Sequence, residues 1–155
     1  MVEIKHHKHS VGQLAYHFVW RPKYNVFVFS DPEKHDYMVR ALRAIAEKWN
    51  IKICEMEVMK NHVPLFVELS PNVSVSFAFN VLKGGSARLF FKRFPVWHQY
   101  FLRGHKKAHL WSPGKFFRSV GSVTAEAVEN YIRNSNSWDF EYLQEYYIKL
   151  NPIRA

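Results

Sequence analysis

The spacing of apolar residues along this chain changes from alternation to helical recurrence and back, and that order restricts the fold more than any other feature. Gln13 to Val19 mixes aromatic and β-branched residues and stops at Arg21-Pro22-Lys23, which predicts a strand. Asp31 and Pro32 supply an N-cap and a first helical residue, after which Tyr37, Leu42, Ile45, Ala46 and Trp49 recur near helical spacing. Ile51 to Met59 alternates and predicts a second strand, Lys60 and Asn61 a tight turn, and His62 to Leu69 a third strand. Ser74 to Phe94 predicts a helix capped by Ser74 or Ser76, with close packing at Gly84-Gly85 and a break at Pro95. His109 to Val120 is extended around a turn at Ser112-Pro113-Gly114, and Thr124 to Asn134 and Phe140 to Leu150 are helical.

Strand, helix, strand, strand, helix, strand is the split βαβ order of an α+β, ferredoxin-like (RRM-like) fold. Its antiparallel sheet carries helices on one face and has the first and third strands at its centre, with further helices at the C-terminus. With 155 residues and no internal repeat or linker, the expectation is a single domain over residues 1–155, its core at about 10–135 and a C-terminal helix at about 138–150. Such a fold hosts many activities and does not by itself give one.

Charge narrows the partners. Lys and Arg number 22 against 13 Asp and Glu, a formal net charge of +9 that favours polyanions, although solubility alone is an alternative reading. The single Cys54 excludes an internal disulfide framework and a multi-cysteine zinc site. No apolar run reaches the roughly 18 residues that span a membrane, and the first residues lack the apolar centre of a secretory signal. A soluble, cytoplasmic protein is expected.

Several segments then become specific. Glu57-Val58-Met59-Lys60-Asn61-His62-Val63-Pro64-Leu65-Phe66-Val67 resembles the signature strand of the HUH single-tyrosine transposases, the small TnpA-type enzymes of insertion sequences. That strand commonly reads Val-Met-Pro-Asp-His-hydrophobic-His. Tyr16 to Tyr24 is similar to the family's first strand, Leu82 to Phe90 to its second helix, His109 to Phe117 to its fourth strand, and Val128 to Ile132 to its nucleophile helix. The similarity spans roughly Ser10 to Asn134 in the correct order, which a single short pattern could not achieve.

The resemblance implies a cut in single-stranded DNA through a 5′-phosphotyrosine, with Tyr131 as nucleophile. It implies Mg2+ or Mn2+ polarising the scissile phosphate, with His62 as first ligand. Two histidines one residue apart on a strand point the same way and can hold one metal from one face. Family members typically add a ligand one helical turn after the tyrosine, often Gln. This chain departs at three places: Pro64 occupies the second-ligand position, Asn61 stands where Asp is common, and Ser135, a weak ligand, follows Tyr131 by four. Pro64 has no side-chain donor atom and removes a backbone N–H from a strand expected to be central. Weak metal binding and poor cleavage in a largely intact fold are expected, with His17, His109, Glu57 or Asn134 as possible replacement ligands.

Lys83, Arg88, Lys92, Arg93, Arg103, Lys106 and Lys107 form a candidate DNA-binding surface, joined by His105 and interleaved with Phe90, Phe91, Trp97 and Tyr100. The charges are expected to meet phosphates and most of the rings to lie in the core. The resemblance implies a DNA hairpin near the element's end as target, and a homodimer whose composite sites join one subunit's metal strand to the other's tyrosine helix. Phe140, Tyr142, Leu143, Tyr146 and Tyr147 would then serve as core or as subunit contact. His6-His7-Lys8-His9 is expected to be a flexible tail. Two rivals stand beside this reading: a hairpin-binding relative that does not cut, and an RNA-binding domain of the same topology, against which the third strand offers only Phe66 for stacking.

Overall fold

The computed structural model describes the backbone of 5–7 and 10–12 and the whole of residues 14–120. The expected helices at 124–134 and 140–150, and with them Tyr131, Asn134 and Ser135, lie outside the described residues. Strands β1 (Lys5–His7) and β2 (Ser10–Gly12) pair antiparallel as a separate two-stranded sheet, so His6 and His7 lie in a strand and not in the expected flexible tail, while Lys8 and His9 lie outside the described residues.

The main sheet contains β3 (Ala15–Trp20), β4 (Lys52–Met56), β5 (Val63–Glu68) and β6 (Phe116–Val120) in the antiparallel order β4-β5-β3-β6. The first and third strands of the split βαβ order, β3 and β5, are therefore central, as the sequence predicts. Helix α1 (Pro32–Lys48) connects β3 to β4, and α2 (Val75–Arg93) follows β5. Phe18, Trp20, Val63, Leu65 and Val67 project from one sheet face into a core shared with Met38, Leu42, Phe79, Leu82 and Phe90 of the helices. By alternation, His17, Val19, Pro64 and Phe66 belong to the opposite face.

Local chemistry sets the helix ends. Asp31 caps α1 by accepting from the Glu33 N–H at 2.9 Å, with Pro32 in the first turn. Past α1, Asn50 takes φ 54°, and Ile51 N–H donates to Ala46 O while Asn50 N–H donates to Glu47 O, a Schellman closure with Asn in place of Gly. Ser74 caps α2 through Phe77 N–H. Pro95 ends α2 as expected, yet it also opens a further helix, α3 (Pro95–Leu102), that the apolar spacing did not reveal. The extended reading of His109 to Val120 holds only in part: β6 begins at Phe116, and the earlier stretch touches the β3 exit through a Pro22–Trp111 bridge.

Gly85 lies where α1 and α2 approach closely, since a Cβ there would sit 3.0 Å from Ile45 Cδ1. Ser86, fully buried beside it, accepts from Trp111 Nε1 at 3.0 Å and donates to Lys83 O, tying α2 to the segment before β6.

Candidate active site

The β4–β5 hairpin positions His62. Met59 N–H donates to His62 O and Glu57 N–H to Pro64 O, so the rungs run 59·62, 57·64 and then 55·66 into the strands proper. Neither Lys60 nor Asn61 has the positive φ of the favoured two-residue hairpin turns. Side-chain and backbone ties hold the turn instead: Phe29 N–H donates to Lys60 O, and Asn61, buried, donates from Nδ2 to Asn25 Oδ1 at 2.9 Å.

Pro64 is fully embedded in β5, opposite Val19 of β3 and Glu57 of the hairpin. In an antiparallel ladder a residue directs N–H and C=O to the same neighbour. Pro64 turns its carbonyl to Glu57, so its missing N–H also faces β4, which ends at Met56. The expected loss of a ladder bond from a central strand thus falls on the β4 side, next to the hairpin turn, and β3–β5 pairing is intact from Trp20·Val63 to Ala15·Glu68.

The face that carries Pro64 gathers a defined set of side chains. His62 shares it by period and lies beside Arg21, which is itself buried. Burial, and then the Arg21 charge, lowers the His62 pKa to about 4, and burial followed by Arg118 does the same for His17. Both imidazoles are neutral at pH 7. Glu57 faces the same side as Pro64, its pKa raised by burial and by Glu55. His109 instead lines a groove along α2, away from the hairpin rungs.

A divalent cation at His62 finds a poor donor set here. Position 64 has no donor, the neighbouring Arg21 is a like charge, and among the described residues no group of three or more His, Cys, Asp or Glu could hold a metal ion. The residues present do not fit the expected site.

The basic residues divide by location. Lys83 is held inward: its Nζ donates to Ser112 O at 2.8 Å and Gly114 O at 3.3 Å, and burial with the Lys115 charge lowers its pKa to about 8. Arg88, Lys107 and His109 join Lys83, Phe91 and Trp111 around a groove of about 540 Å³ between α2 and the segment that follows α3. Lys92 and Arg93 are exposed at the end of α2, where Arg93 pairs with Glu33 at 2.9 Å. Arg103 packs its guanidinium over Tyr24 and Tyr100, and Lys106 is exposed. Phe90 is buried, Phe91 and Trp97 are half-buried and Tyr100 is exposed, so most of the interleaved rings belong to the core as expected.

Arg21 and Asn25 were not singled out by sequence reasoning, although both stand at the site. Arg21 directly follows β3, and the strand register that pairs Trp20 with Val63 carries it next to His62. Asn25 reaches Asn61 through successive left-handed residues, Tyr24 (φ 64°) and Asn25 (φ 55°), which no local pattern announces.

The family model for IS200-like transposases matches residues 10–135. The chain is 30% identical over 135 residues to the ISDra2 transposase TnpA of Deinococcus radiodurans, covering 87% of this chain and 93% of that protein. It is 29% identical over 127 residues to the transposase of the insertion sequence element IS200 of Salmonella typhimurium, covering 81% and 79%. Among solved structures, a Deinococcus radiodurans R1 protein described as a transposase superposes with a TM-score of 0.67 at 30% identity, over 87% of this chain and all of that one. A REP-associated tyrosine transposase bound to a REP hairpin shares the fold, at TM-score 0.52 and 11% identity, over 83% of this chain and 68% of that one. With its fold, its colinear motifs and its match over most of its length, the chain belongs to the IS200-like transposases, the TnpA type of the HUH single-tyrosine enzymes.

Proposed function

We propose that the chain grips single-stranded DNA at a hairpin as a cytoplasmic homodimer, and that Tyr131 is its nucleophile. Tyr131 Oη, losing its proton, would attack the scissile phosphorus. The bond to the 3′ oxygen breaks, that oxygen leaves as a hydroxyl, and the DNA is held as a 5′-phosphotyrosine until a 3′ hydroxyl reverses the step. Composite sites, each with the hairpin strand of one subunit and the tyrosine helix of the other, complete the reading. Mg2+ or Mn2+ is the cofactor of the intact form, with Ser135 as a weak third ligand, and cleavage by this chain is impaired because Pro64 replaces the second ligand.

The observation that carries this reading is the placement of Pro64 two residues from His62 on one sheet face, within a family match spanning residues 10–135. The groove bearing Arg88 and Lys107 supports a phosphate-binding role. The RNA-binding alternative loses support because Phe66 is wholly buried and offers no ring for stacking.

The test is cleavage of the element's own hairpin end with Mg2+ or Mn2+ by this chain, Pro64→His, and Pro64→His/Tyr131→Phe. A covalent adduct from the His variant that the double variant lacks supports the proposal. Tight hairpin binding by all three without any adduct would replace it with a binding module that does not cut.

A further inference from the structure

The hairpin tip carries a chain of side-chain hydrogen bonds that the reading above does not use. Asn61 Nδ2 donates to Asn25 Oδ1 at 2.9 Å, and Asn61 Oδ1 lies 3.2 Å from His62 Nδ1. We propose that Asn61 is a positioning residue that, oriented by Asn25, fixes the His62 imidazole as its Nδ1–H tautomer and makes Nε2 the nitrogen carrying the lone pair.

An amide side chain has one donor end and one acceptor end. Asn25 takes the donor end, so the end facing the imidazole is a carbonyl oxygen, which only accepts. A ring that carries a single proton must then hold it on Nδ1, facing that oxygen. Asn61 is 6% exposed, which denies water the chance to replace either partner freely. The segment that delivers Asn25 is held at a cost: Tyr24 and Asn25 are both left-handed, and Arg103, itself at φ 41°, clamps Tyr24 with its guanidinium 3.9 Å from the ring centroid. Left-handed non-glycine residues concentrate where a site over-determines the backbone. A purely architectural Asn61 would pin the turn without regard to where the His62 proton sits.

Use of that lone pair in cleavage rests on the proposed function, whereas the tautomer is measured without it. The full chain, labelled with 15N-histidine, is recorded by long-range 1H–15N correlation at pH 7, and His62 is identified by the signal lost in His62→Gln. A protonated Nδ1 with an unprotonated Nε2 is expected. Asn61→Asp, whose carboxylate can only accept, keeps that pattern. Asn25→Gly, which suits the left-handed backbone and removes the orienting oxygen, shifts population toward the Nε2–H form, as does Asn61→Leu. In the Pro64→His background, Asn61→Leu lowers covalent adduct about 10-fold or more and Asn61→Asp does not. A protonated Nε2 in the unaltered chain overturns the proposal, as does a tautomer that Asn25→Gly leaves unchanged. If Pro64→His forms no adduct, the proposed function fails while the spectra still decide this inference.

Discussion

Gly84 and Gly85 are neighbours in α2, yet alanine should act on them in opposite directions. Replacing glycine by alanine inside a helix stabilises by about 0.5–1 kcal/mol, through the conformational entropy that glycine loses on folding. At Gly84 nothing lies within 4 Å of the added Cβ, so the full gain is expected. At Gly85 the methyl would meet Ile45 Cδ1 at 3.0 Å and Cγ1 at 3.3 Å, and Ile45 is itself a buried α1 residue packed in the core. Overpacking of this kind costs about 1–3 kcal/mol, which outweighs the helical gain. Gly85→Ala should therefore be less stable than Gly84→Ala by about 1–3 kcal/mol. Ile45→Val removes Cδ1, the atom of closest approach. It should cost about 1 kcal/mol alone but less in the Gly85→Ala background, giving a favourable coupling near 1 kcal/mol. Urea unfolding measures all four proteins, comparing midpoints at constant m. A Gly85→Ala protein as stabilised as Gly84→Ala, or a strictly additive cycle, would refute the close helix approach.

Ser86→Ala should cost about 1–3 kcal/mol in the same assay, because it strands the buried Trp111 N–H; an unchanged midpoint refutes that bond. His17 and His62 titrate near 4 when folded and near 6.5 when unfolded, so the unfolded chain binds their protons first as pH falls. Their contribution, about 3 kcal/mol each, is complete above pH 6.5 and disappears between pH 6.5 and 4. Unfolding measured at pH 7 and pH 4.5 should show the fall, and His17→Gln should flatten it; a pH-independent midpoint contradicts the burial argument. Arg88→Gln and Lys107→Gln should each weaken hairpin binding and reduce the slope of log affinity against log salt by about 1. Unchanged slopes would move the DNA to another face.

What the sequence disclosed followed from periodicity and capping. Of the residues that recur at helical spacing, Leu42, Ile45 and Ala46 are buried on α1, Tyr37 is half-buried and Trp49 is exposed past the helix end, while Met38 and Ala41 complete the buried stripe; the Asp31-Pro32 start and the two central strands are local signals too. Besides the β1–β2 pair, α3 was not legible, because Pro95 reads equally as the end of one helix and the first residue of the next. At the site, His62 and Pro64 were legible from the motif, whereas Arg21 and Asn25 were not. Both reach His62 through pairing between segments some 40 residues apart in the chain, a distance over which no spacing rule operates. The basic pattern groups Lys83 with the phosphate contacts, but its amine points inward at two carbonyls, a choice made by a turn that begins 29 residues further on.

Pro64 ties the chemistry of the site to the architecture of the sheet. A proline whose nitrogen faced β3 would break the central pairing, and the register around His17 would slip or bulge. Here the even spacing from His62 sets the polarity instead. A residue that shares a face with His62 belongs to the same set of rungs as Met59·His62, and those rungs bond toward β4. Position 64, proposed as that of the second ligand, is therefore one of the places in β5 where proline spares the β3 ladder, because side-chain direction and hydrogen-bond direction alternate together along a strand. Under the proposed function, proline here takes away a metal donor yet leaves the scaffold standing, with β3 and β5 still paired along six residues. Loss of cleavage at this position need not bring loss of the folded, basic surface, and the two activities proposed for the chain, gripping a hairpin and cutting it, are separable at one residue.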